Sequence, residues 1–322
     1  MSMQTRRSFF KSLAVGSVAL GSAKWLQADQ VVAAAKPQVQ RRSLGRIGVD
    51  VPILALGLGS VFTRAFNNSS EEAKPLLQKA LDHGVTCWDT SRNYGASERM
   101  IAPMVEKNRG RLFLISKSAE RGYDGFMREL ETSLETLRTD YLDIFHMHNF
   151  RPADDLDEIE KGALVAARKM RDEKVIRNFG VTGHSGARLL VDAIKRFDPD
   201  AVLTVFPCNR PDRGRYEDEL LPLARERNMG VFAMKLIRHA RNADLQGADL
   251  VRYGLTLDGV HSAVVGADNH GIMDENIRMA SDFVPLSREE MARMTDEAQT
   301  RLAGDIAPWE RPGYQDGATA AA

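Results

Sequence analysis

Two stretches of the chain, LFLISK at residues 112–117 and LDIFHMH at residues 142–148, decide the fold that this sequence predicts. Each is an apolar run of strand length that ends in a polar residue, and the segment between them, Gly125–Leu137, is amphipathic with a helical period. The same alternation continues towards both ends of the chain. Eight apolar runs result: Ile53–Leu58, Val85–Trp88, Leu112–Ser116, Leu142–Met147, Ile176–Val181, Ala201–Val205, Gly230–Met234 and Ser262–Val265.

Runs that are apolar on both faces, each followed by a helix, are typical of a parallel sheet that helices cover. Eight such units favour closure, so we predict an α/β protein with a parallel, eight-stranded (β/α)₈ TIM barrel. The alternative is an open doubly wound sheet, which binds a dinucleotide at a Gly-rich turn after its first strand. Residues Gly57–Phe62 read GLGSVF, which lacks the third glycine of the G-x-G-x-x-G pattern, and we expect no helix to follow directly.

Composition supports one soluble globular domain that acts on small molecules. The 322 residues are 43% hydrophobic and 27% charged, and the 44 basic side chains equal the 44 acidic ones in number, so no nucleic-acid partner is expected. We predict that the barrel domain covers residues 36–316 and that residues 317–322 form a disordered tail. Cys87 and Cys208 lie in separate apolar runs, so we expect two buried thiols, with a disulfide as the alternative.

The first 35 residues have a different character from the rest. Thr5–Lys11 reads TRRSFFK and precedes an apolar, Gly- and Ala-rich run at Leu13–Ala23, which is the order of segments in a secretory signal. The paired arginines resemble the twin-arginine export motif. We therefore predict a signal peptide over residues 1–35, export by the twin-arginine translocase, and a periplasmic location; the alternative is a disordered basic tail. No stable membrane span is expected, because such a span needs about 20 apolar residues.

Polar residues stand where successive apolar runs end. The second run ends at Asp89, the third at Lys117 and the fourth at His148, and Tyr94 follows Asp89 in the same loop. In (β/α)₈ barrels the active site lies at the carboxyl ends of the strands, so we predict that these four residues meet at one barrel mouth.

These residue types suit the reduction of a carbonyl group, which needs a proton donor at the oxygen where negative charge develops. A tyrosine can supply that proton if a nearby ammonium lowers its pKa from about 10. Lys117 is the candidate ammonium for Tyr94, and the carboxylate of Asp89 would keep it charged. His148 can then donate a hydrogen bond that orients the carbonyl oxygen.

The segments around these four residues resemble the aldo-keto reductase family. The resemblance is found in Cys87–Glu98, with its Asp-Thr, Tyr-Gly and Ser-Glu pairs, in Ile115–Lys117, in Asp140–His148 and in Ile176–Thr182, and it extends over roughly residues 40–300. It implies a (β/α)₈ barrel that reduces an aldehyde or ketone to an alcohol with NADPH or NADH. Asp89, Tyr94, Lys117 and His148 then match the family's catalytic residues, with Tyr94 as the general acid.

The same resemblance, together with the phosphate sites common in such barrels, implies a set of cofactor-binding residues after several strands. They are Gly59, Ser60, Thr182, Lys235, Arg238, Gly266, Asp268, Glu275 and Asn276. The family commonly holds the 2′-phosphate of NADP with a Lys or Arg in the last loop, yet none occurs between Gly266 and Asp274. Because Asp268 would repel a phosphate, NADH is as open a choice as NADPH.

Two other functions remain open from the sequence. His146 and His148 stand two residues apart on one strand, a spacing that suits a metal-dependent barrel hydrolase, although further ligands would be needed. The second is a non-catalytic sensor or subunit that binds a nicotinamide cofactor. Our preferred interpretation uses no metal.

Overall fold

The computed structural model describes residues 36–208, 215–237, 245–311 and 314. The predicted signal over residues 1–35 and the predicted tail over residues 317–322 lie outside these ranges. The first two strands, β1 (Arg41–Ser43) and β2 (Asp50–Pro52), are short and pair antiparallel. The turn between them has Gly45 at φ 46° and Gly48 at φ 71°, left-handed conformations that favour glycine.

Eight further strands follow along the chain. They are β3 (Leu54–Gly57), β4 (Cys87–Asp89), β5 (Phe113–Ser118), β6 (Leu142–Phe150), β7 (Ile176–Gly183), β8 (Ala201–Val205), β9 (Gly230–Met234) and β10 (Ser262–Gly266). Each pairs in parallel with the next, and β10 pairs with β3, so the sheet is closed. This confirms the predicted (β/α)₈ barrel, and each of the eight apolar runs supplies one strand.

Eleven helices lie in the described ranges. They are α1 (Ser60–Ala65), α2 (Ser70–Asp82), α3 (Ser97–Asn108), α4 (Tyr123–Leu137), α5 (Leu156–Lys161), α6 (Ala163–Asp172), α7 (Ala187–Phe197), α8 (Leu221–Glu226), α9 (Gly247–Thr256), α10 (His270–Ser281) and α11 (Arg288–Arg301). Short 3₁₀ turns occur at Gly45–Ile47, Arg109–Arg111 and Pro308–Glu310, and a π-helical turn at Arg215–Leu220. None of the helices in these ranges has both the length and the apolar character that crossing a membrane requires.

Local signals explain where several helices begin. The side chain of Ser69 accepts a hydrogen bond from the backbone N–H of Glu72 at the start of α2, and Ser287 and Glu290 form a reciprocal capping box at the start of α11.

One local prediction, that no helix follows the GLGSVF segment directly, was wrong. The GLGSVF segment does lead directly into a helix, because α1 begins at Ser60, and Phe62 of that helix is fully buried in the core.

Strand pairing fixes the residues at the carboxyl rim of the barrel. Asp89 at the end of β4 pairs with Ile115 of β5, and Lys117 of β5 pairs with His146 of β6. The ends of three adjacent strands therefore project into one mouth. Cys87 and Cys208 are both buried thiols and not a disulfide, as expected, and burial raises the pKa of Cys87 well above its usual value.

Candidate active site

The loop after β4 is fastened to the neighbouring strands by its backbone. The N–H of Thr90 donates to the carbonyl of Ile115 at 2.9 Å, and the N–H of Arg92 donates to the carbonyl of Lys117 at 3.2 Å. The hydroxyl of Ser97 donates to the carbonyl of Leu58 at 2.6 Å. These bonds hold the loop that contains Tyr94 over the barrel mouth.

Lys117 is completely buried, and its ammonium is held by two acceptors. Nζ donates to Asp89 Oδ2 at 2.7 Å and to the backbone carbonyl of Thr90 at 2.7 Å. It also lies 4.9 Å from the centroid of the Tyr94 ring, within the range of a cation–π contact. A buried ammonium needs such partners, since desolvation otherwise disfavours its charged form.

His148 reaches the same mouth from β6. Its ring stands edge-on to the Tyr94 ring, with centroids 5.9 Å apart and an interplanar angle of 85°. Ser91 Oγ lies 3.3 Å from His148 Nδ1 and orients the imidazole. The pairing of β6 with β7 is irregular between Met147 and Phe150, and Asn149 has φ 53°. Such irregularities re-aim side chains beside functional sites. All four predicted catalytic residues therefore come together.

Glu98, in the first turn of α3, is a buried carboxylate beneath this mouth. The hydroxyls of Ser116 and Ser133 both donate to its Oε1 at 2.7 Å, and Arg92 forms an ion pair with Oε2. The sequence placed Glu98 in a motif without assigning it a role. The structure shows that it ties α3, α4 and β5 together, and that it holds the guanidinium of Arg92 in the loop that contains Tyr94.

His146 is also buried, but it does not assemble a metal site. Burial, and then the positive charge of Lys117, lower the pKa of His146 well below its usual value, which favours the neutral form of the ring. Nowhere in the described ranges are three or more His, Cys, Asp or Glu side chains arranged to hold a metal ion. The structure therefore does not favour the hydrolase alternative.

A groove beside Tyr94 contains several of the predicted cofactor residues. We call it the Lys235 groove, and it consists of two adjoining cavities that share Val61, Lys235, Val264 and Gly266. The first, of about 170 Å³, is also lined by Gly57, Leu58, Gly59, Ser60, Asp89, Tyr94, Met234 and Tyr314. The second, of about 400 Å³, is also lined by Arg64, Leu236, Ile237, Val265, Asp268 and Ile272.

The other predicted cofactor residues have different surroundings. Thr182 is buried in β7, where its hydroxyl accepts from the backbone N–H of Asn149 at 2.8 Å. On α10, Glu275 is exposed and Asn276 is buried, and neither is among the described residues that line the Lys235 groove. Arg238 lies outside the described residues.

The groove suits an extended, negatively charged dinucleotide. A side chain at Gly59 would place its Cβ 3.8 Å from the Tyr94 ring, in the space beside the phenol, so glycine keeps that space open. Lys235 and Arg64 are the positive charges in the described walls of the groove that could hold phosphates, and Asp89 and Asp268 are the negative charges there. Two residues that line the groove, Arg64 and Tyr314, were not predicted from the sequence. The hydroxyl of Tyr314 accepts a hydrogen bond from Lys235 Nζ at 3.2 Å. Arg64 is recognisable only once α1 is known to follow β3.

Comparison with known proteins agrees with this architecture. The model of the Aldo/keto reductase family matches residues 53–250, which is more than half of the chain. The protein belongs to the aldo/keto reductase family, and it is an oxidoreductase of the kind that uses a nicotinamide cofactor.

Its curated relatives are distant. The chain is 23% identical over 300 residues to L-galactose dehydrogenase of Arabidopsis thaliana, covering 79% of this chain and 92% of that protein. It is 24% identical over 209 residues to the uncharacterized oxidoreductase YqkF of Bacillus subtilis, covering 61% of this chain and 64% of that protein.

Solved structures share the fold. An aldo-keto reductase, AKR11C1, from Bacillus halodurans in its holo form matches with a TM-score of 0.68 at 19% identity, covering 81% of this chain and 96% of that one. An aldo-keto reductase from Klebsiella pneumoniae in complex with NADP and acetate matches with a TM-score of 0.65 at 22% identity, covering 81% of this chain and 96% of that one.

Proposed function

We propose that this protein reduces an aldehyde or ketone to an alcohol, with Tyr94 as the general acid. The observation that supports it most directly is the position of the Lys117 ammonium. It is bound by Asp89 and by the Thr90 carbonyl at 2.7 Å each, while it lies 4.9 Å from the centroid of the Tyr94 ring. A positive charge fixed beside a phenol stabilises the phenolate and so makes the hydroxyl a better acid.

Each side chain has a distinct task in this proposal. A bound nicotinamide cofactor supplies the hydride. Tyr94 donates its hydroxyl proton to the carbonyl oxygen as negative charge develops there, and Lys117 stabilises the phenolate that results. Asp89 keeps the ammonium charged and in place. His148, oriented by Ser91, donates a hydrogen bond to the same oxygen and so fixes the substrate in a reactive position.

The first prediction tests the acid. Tyr94→Phe removes the proton donor and leaves the ring, so we expect carbonyl reduction to fall by about 10²–10⁴-fold while the dissociation constant for the cofactor stays nearly unchanged. The measurements are steady-state turnover of aldehydes and quinones and fluorescence titration of the cofactor. Tyr123→Phe on α4, whose hydroxyl meets only the exposed Lys169 among the described residues, is the matched control. Turnover at the parental level in Tyr94→Phe would refute the assignment, and tight cofactor binding without turnover in the parent would favour the sensor.

We further propose that the Lys235 groove binds the cofactor and accepts NADH at least as well as NADPH. Asp268 lines the wall of the groove, and the loop from Gly266 to Asp274 contains no Lys or Arg to attract a 2′-phosphate. Among the described residues, the cations that line this cavity, Arg64 and Lys235, come from other segments. Several relatives by fold are described with NADP or NADPH, such as the Klebsiella pneumoniae reductases. Fluorescence titration of the purified protein with both cofactors is decisive, and binding of NADPH tighter than NADH by about tenfold or more would contradict the proposal.

We also propose that residues 1–35 direct export to the periplasm by the twin-arginine translocase, leaving the barrel domain as the mature protein. The support is the sequence order of Arg6 and Arg7, the apolar run, and Ala33–Ala35, whose small side chains fit a cleavage site for the signal. As a second prediction, replacing both arginines with lysine keeps the protein in the cytoplasm. Fractionation of cells that express each form measures this, and equal periplasmic amounts of the two forms would exclude the proposed route.

A further inference from the structure

Two more cavities adjoin the catalytic residues. The Arg121 cavity, of about 160 Å³, is lined by His148 together with Asn93, Arg121, Asn149, Arg151 and Asp154 among others. The Arg311 cavity, of about 410 Å³, shares Asn149 and Arg151 with it and also contains His184, Arg311 and Tyr314 in its wall. The larger volume falls in the range of about 300–1,000 Å³ typical of small-molecule sites. Because they share two wall residues, we treat the two adjoining cavities as one space, and its smaller part reaches the catalytic imidazole.

Positive charge exceeds negative charge along this space. Arg151 and Arg311 are exposed, and neither guanidinium makes a hydrogen bond or ion pair in the part of the chain that the structure describes. Of the carboxylates in the two walls, Asp154 is already bound by Arg121 at 2.7 Å and by the backbone N–H of Arg151 at 2.8 Å. The other, Glu310, is exposed at the wall of the Arg311 cavity. Two guanidinium groups therefore remain for a ligand.

A buried polar side chain in the shared wall independently indicates a ligand. Asn149 is 5% exposed, and its Oδ1 is buried without a hydrogen-bond partner among the described residues. Arg121 Nη1, in the smaller cavity, is likewise buried without one. Leaving such a group unsatisfied costs about 1–3 kcal/mol. Asn149 Oδ1 therefore suits a hydrogen-bond donor on a ligand, and Arg121 Nη1 suits an acceptor such as a carboxylate oxygen. The backbone N–H of Asn149 donates to Thr182 Oγ1, which fixes the residue in place.

We infer that the natural substrate is a carbonyl compound that also has a carboxylate group, and that Arg151 and Arg311 bind this carboxylate. The inference rests on the proposed function, because it places the carbonyl between Tyr94 and His148. The remainder of the substrate then extends past Asn149 into the Arg311 cavity. Guanidinium groups are the preferred partners of carboxylates, since their paired N–H groups match the two oxygens.

Matched substrates test this inference. The probes are 4-carboxybenzaldehyde and its neutral isostere 4-formylbenzamide, each followed by cofactor oxidation. We expect kcat/KM to be about tenfold or more higher for the carboxylate, mainly through KM, and this preference to weaken as salt is added. In the double variant Arg151→Gln, Arg311→Gln the ratio of the two kcat/KM values should fall to about one. Arg293→Gln, an exposed arginine on α11, is the control and should keep the parental ratio.

The outcomes separate this inference from the proposed function. If both aldehydes are reduced with equal kcat/KM, or if the double variant keeps the preference, the carboxylate site is wrong while the reductase remains. If neither aldehyde is reduced by the parent, the proposed function and this inference fail together. Calorimetry with benzoate and benzamide gives a second readout without turnover. Benzoate should bind the parent more tightly than benzamide, and the double variant should bind both alike.

Discussion

At the residue scale, the active site depends on a charge pair that is almost completely buried. The Lys117 and Asp89 side chains are 1% and 4% exposed, so each ion relies on the other for the solvation that it lost on folding. A buried pair of this kind adds little net stability, but removal of one partner is costly because the other charge stays buried.

The third prediction follows from this asymmetry. Asp89→Asn or Lys117→Met alone should lower the free energy of unfolding by about 3–5 kcal/mol, and the double variant should recover much of that loss, while all three variants lose reduction. Urea denaturation and turnover measure the two effects. Glu106→Gln, which breaks an ion pair with Arg138 whose partners are both 57% exposed, should cost less than about 1 kcal/mol. Additive losses in the double variant would argue against a coupled pair.

The sequence predicted these catalytic residues because each stands in the segment that follows an apolar run, and parallel strands bring such positions together. It could not predict the partners that orient them. The contact of Ser91 with His148 and the exposure of Arg151 depend on side-chain conformations and on the irregular end of β6. The Glu275 and Asn276 assignments came from family likeness alone, and the described walls of the Lys235 groove do not include them.

At the element scale, the eight strands were predictable because a strand covered on both faces is apolar throughout. The ends of the strands were harder to predict. β6 continues to Phe150 and β7 to Gly183, past their apolar runs. Residues with polar side chains at a barrel rim still pair through their backbone, so hydrophobicity does not mark where such a strand ends. Helix α1 was missed because a six-residue helix has almost no periodic signal, and its buried Phe62 contributes through packing.

Close packing between β6 and β7 gives the fourth prediction. A Cβ at Gly180 of β7 would lie 2.3 Å from His146 Nδ1 and 2.7 Å from the carbonyl of Ala201 in β8. Gly180→Ala must therefore displace the buried ring of His146 and the Ala201 carbonyl of β8, and we expect a loss of about 1–3 kcal/mol in the free energy of unfolding. Thermal or urea unfolding measures it. Gly110→Ala is the control, because a Cβ there meets nothing within 4 Å; equal stability of the two variants would disprove the clash.

At the scale of the whole molecule, the barrel has a neutral imidazole in its interior, and this makes global stability depend on pH. His146 is completely buried, and its pKa is lowered well below 6.5 by burial first and then by Lys117 and His148. The unfolded chain therefore binds a proton at this residue below about pH 6.5, whereas the folded chain binds it only at a lower pH. Protonation favours the unfolded state, so stability falls as the pH falls below this value.

The fifth prediction concerns how steeply the free energy of unfolding changes with pH. Between about pH 6.5 and 5, His146→Leu should lose stability with falling pH less steeply than the parent, by up to about 1.4 kcal/mol per pH unit. His261, whose pKa is also lowered by burial, remains in both proteins and leaves a common residual slope. Urea denaturation at several pH values gives the measurement, with slopes compared in place of absolute stabilities. Identical slopes would mean that His146 takes up a proton in the folded state.

Tyr314 lies at the boundary between the two spaces that we propose bind the cofactor and the substrate carboxylate. Its hydroxyl accepts from Lys235, its ring stands edge-on to His184 at 5.7 Å, and it lines both the Lys235 groove and the Arg311 cavity. A molecule that displaced this ring from one side would reshape the other, and two such occupants would then be thermodynamically linked through this aromatic residue. Linkage is reciprocal: whatever factor the first occupant imposes on the affinity of the second, the second imposes on the first.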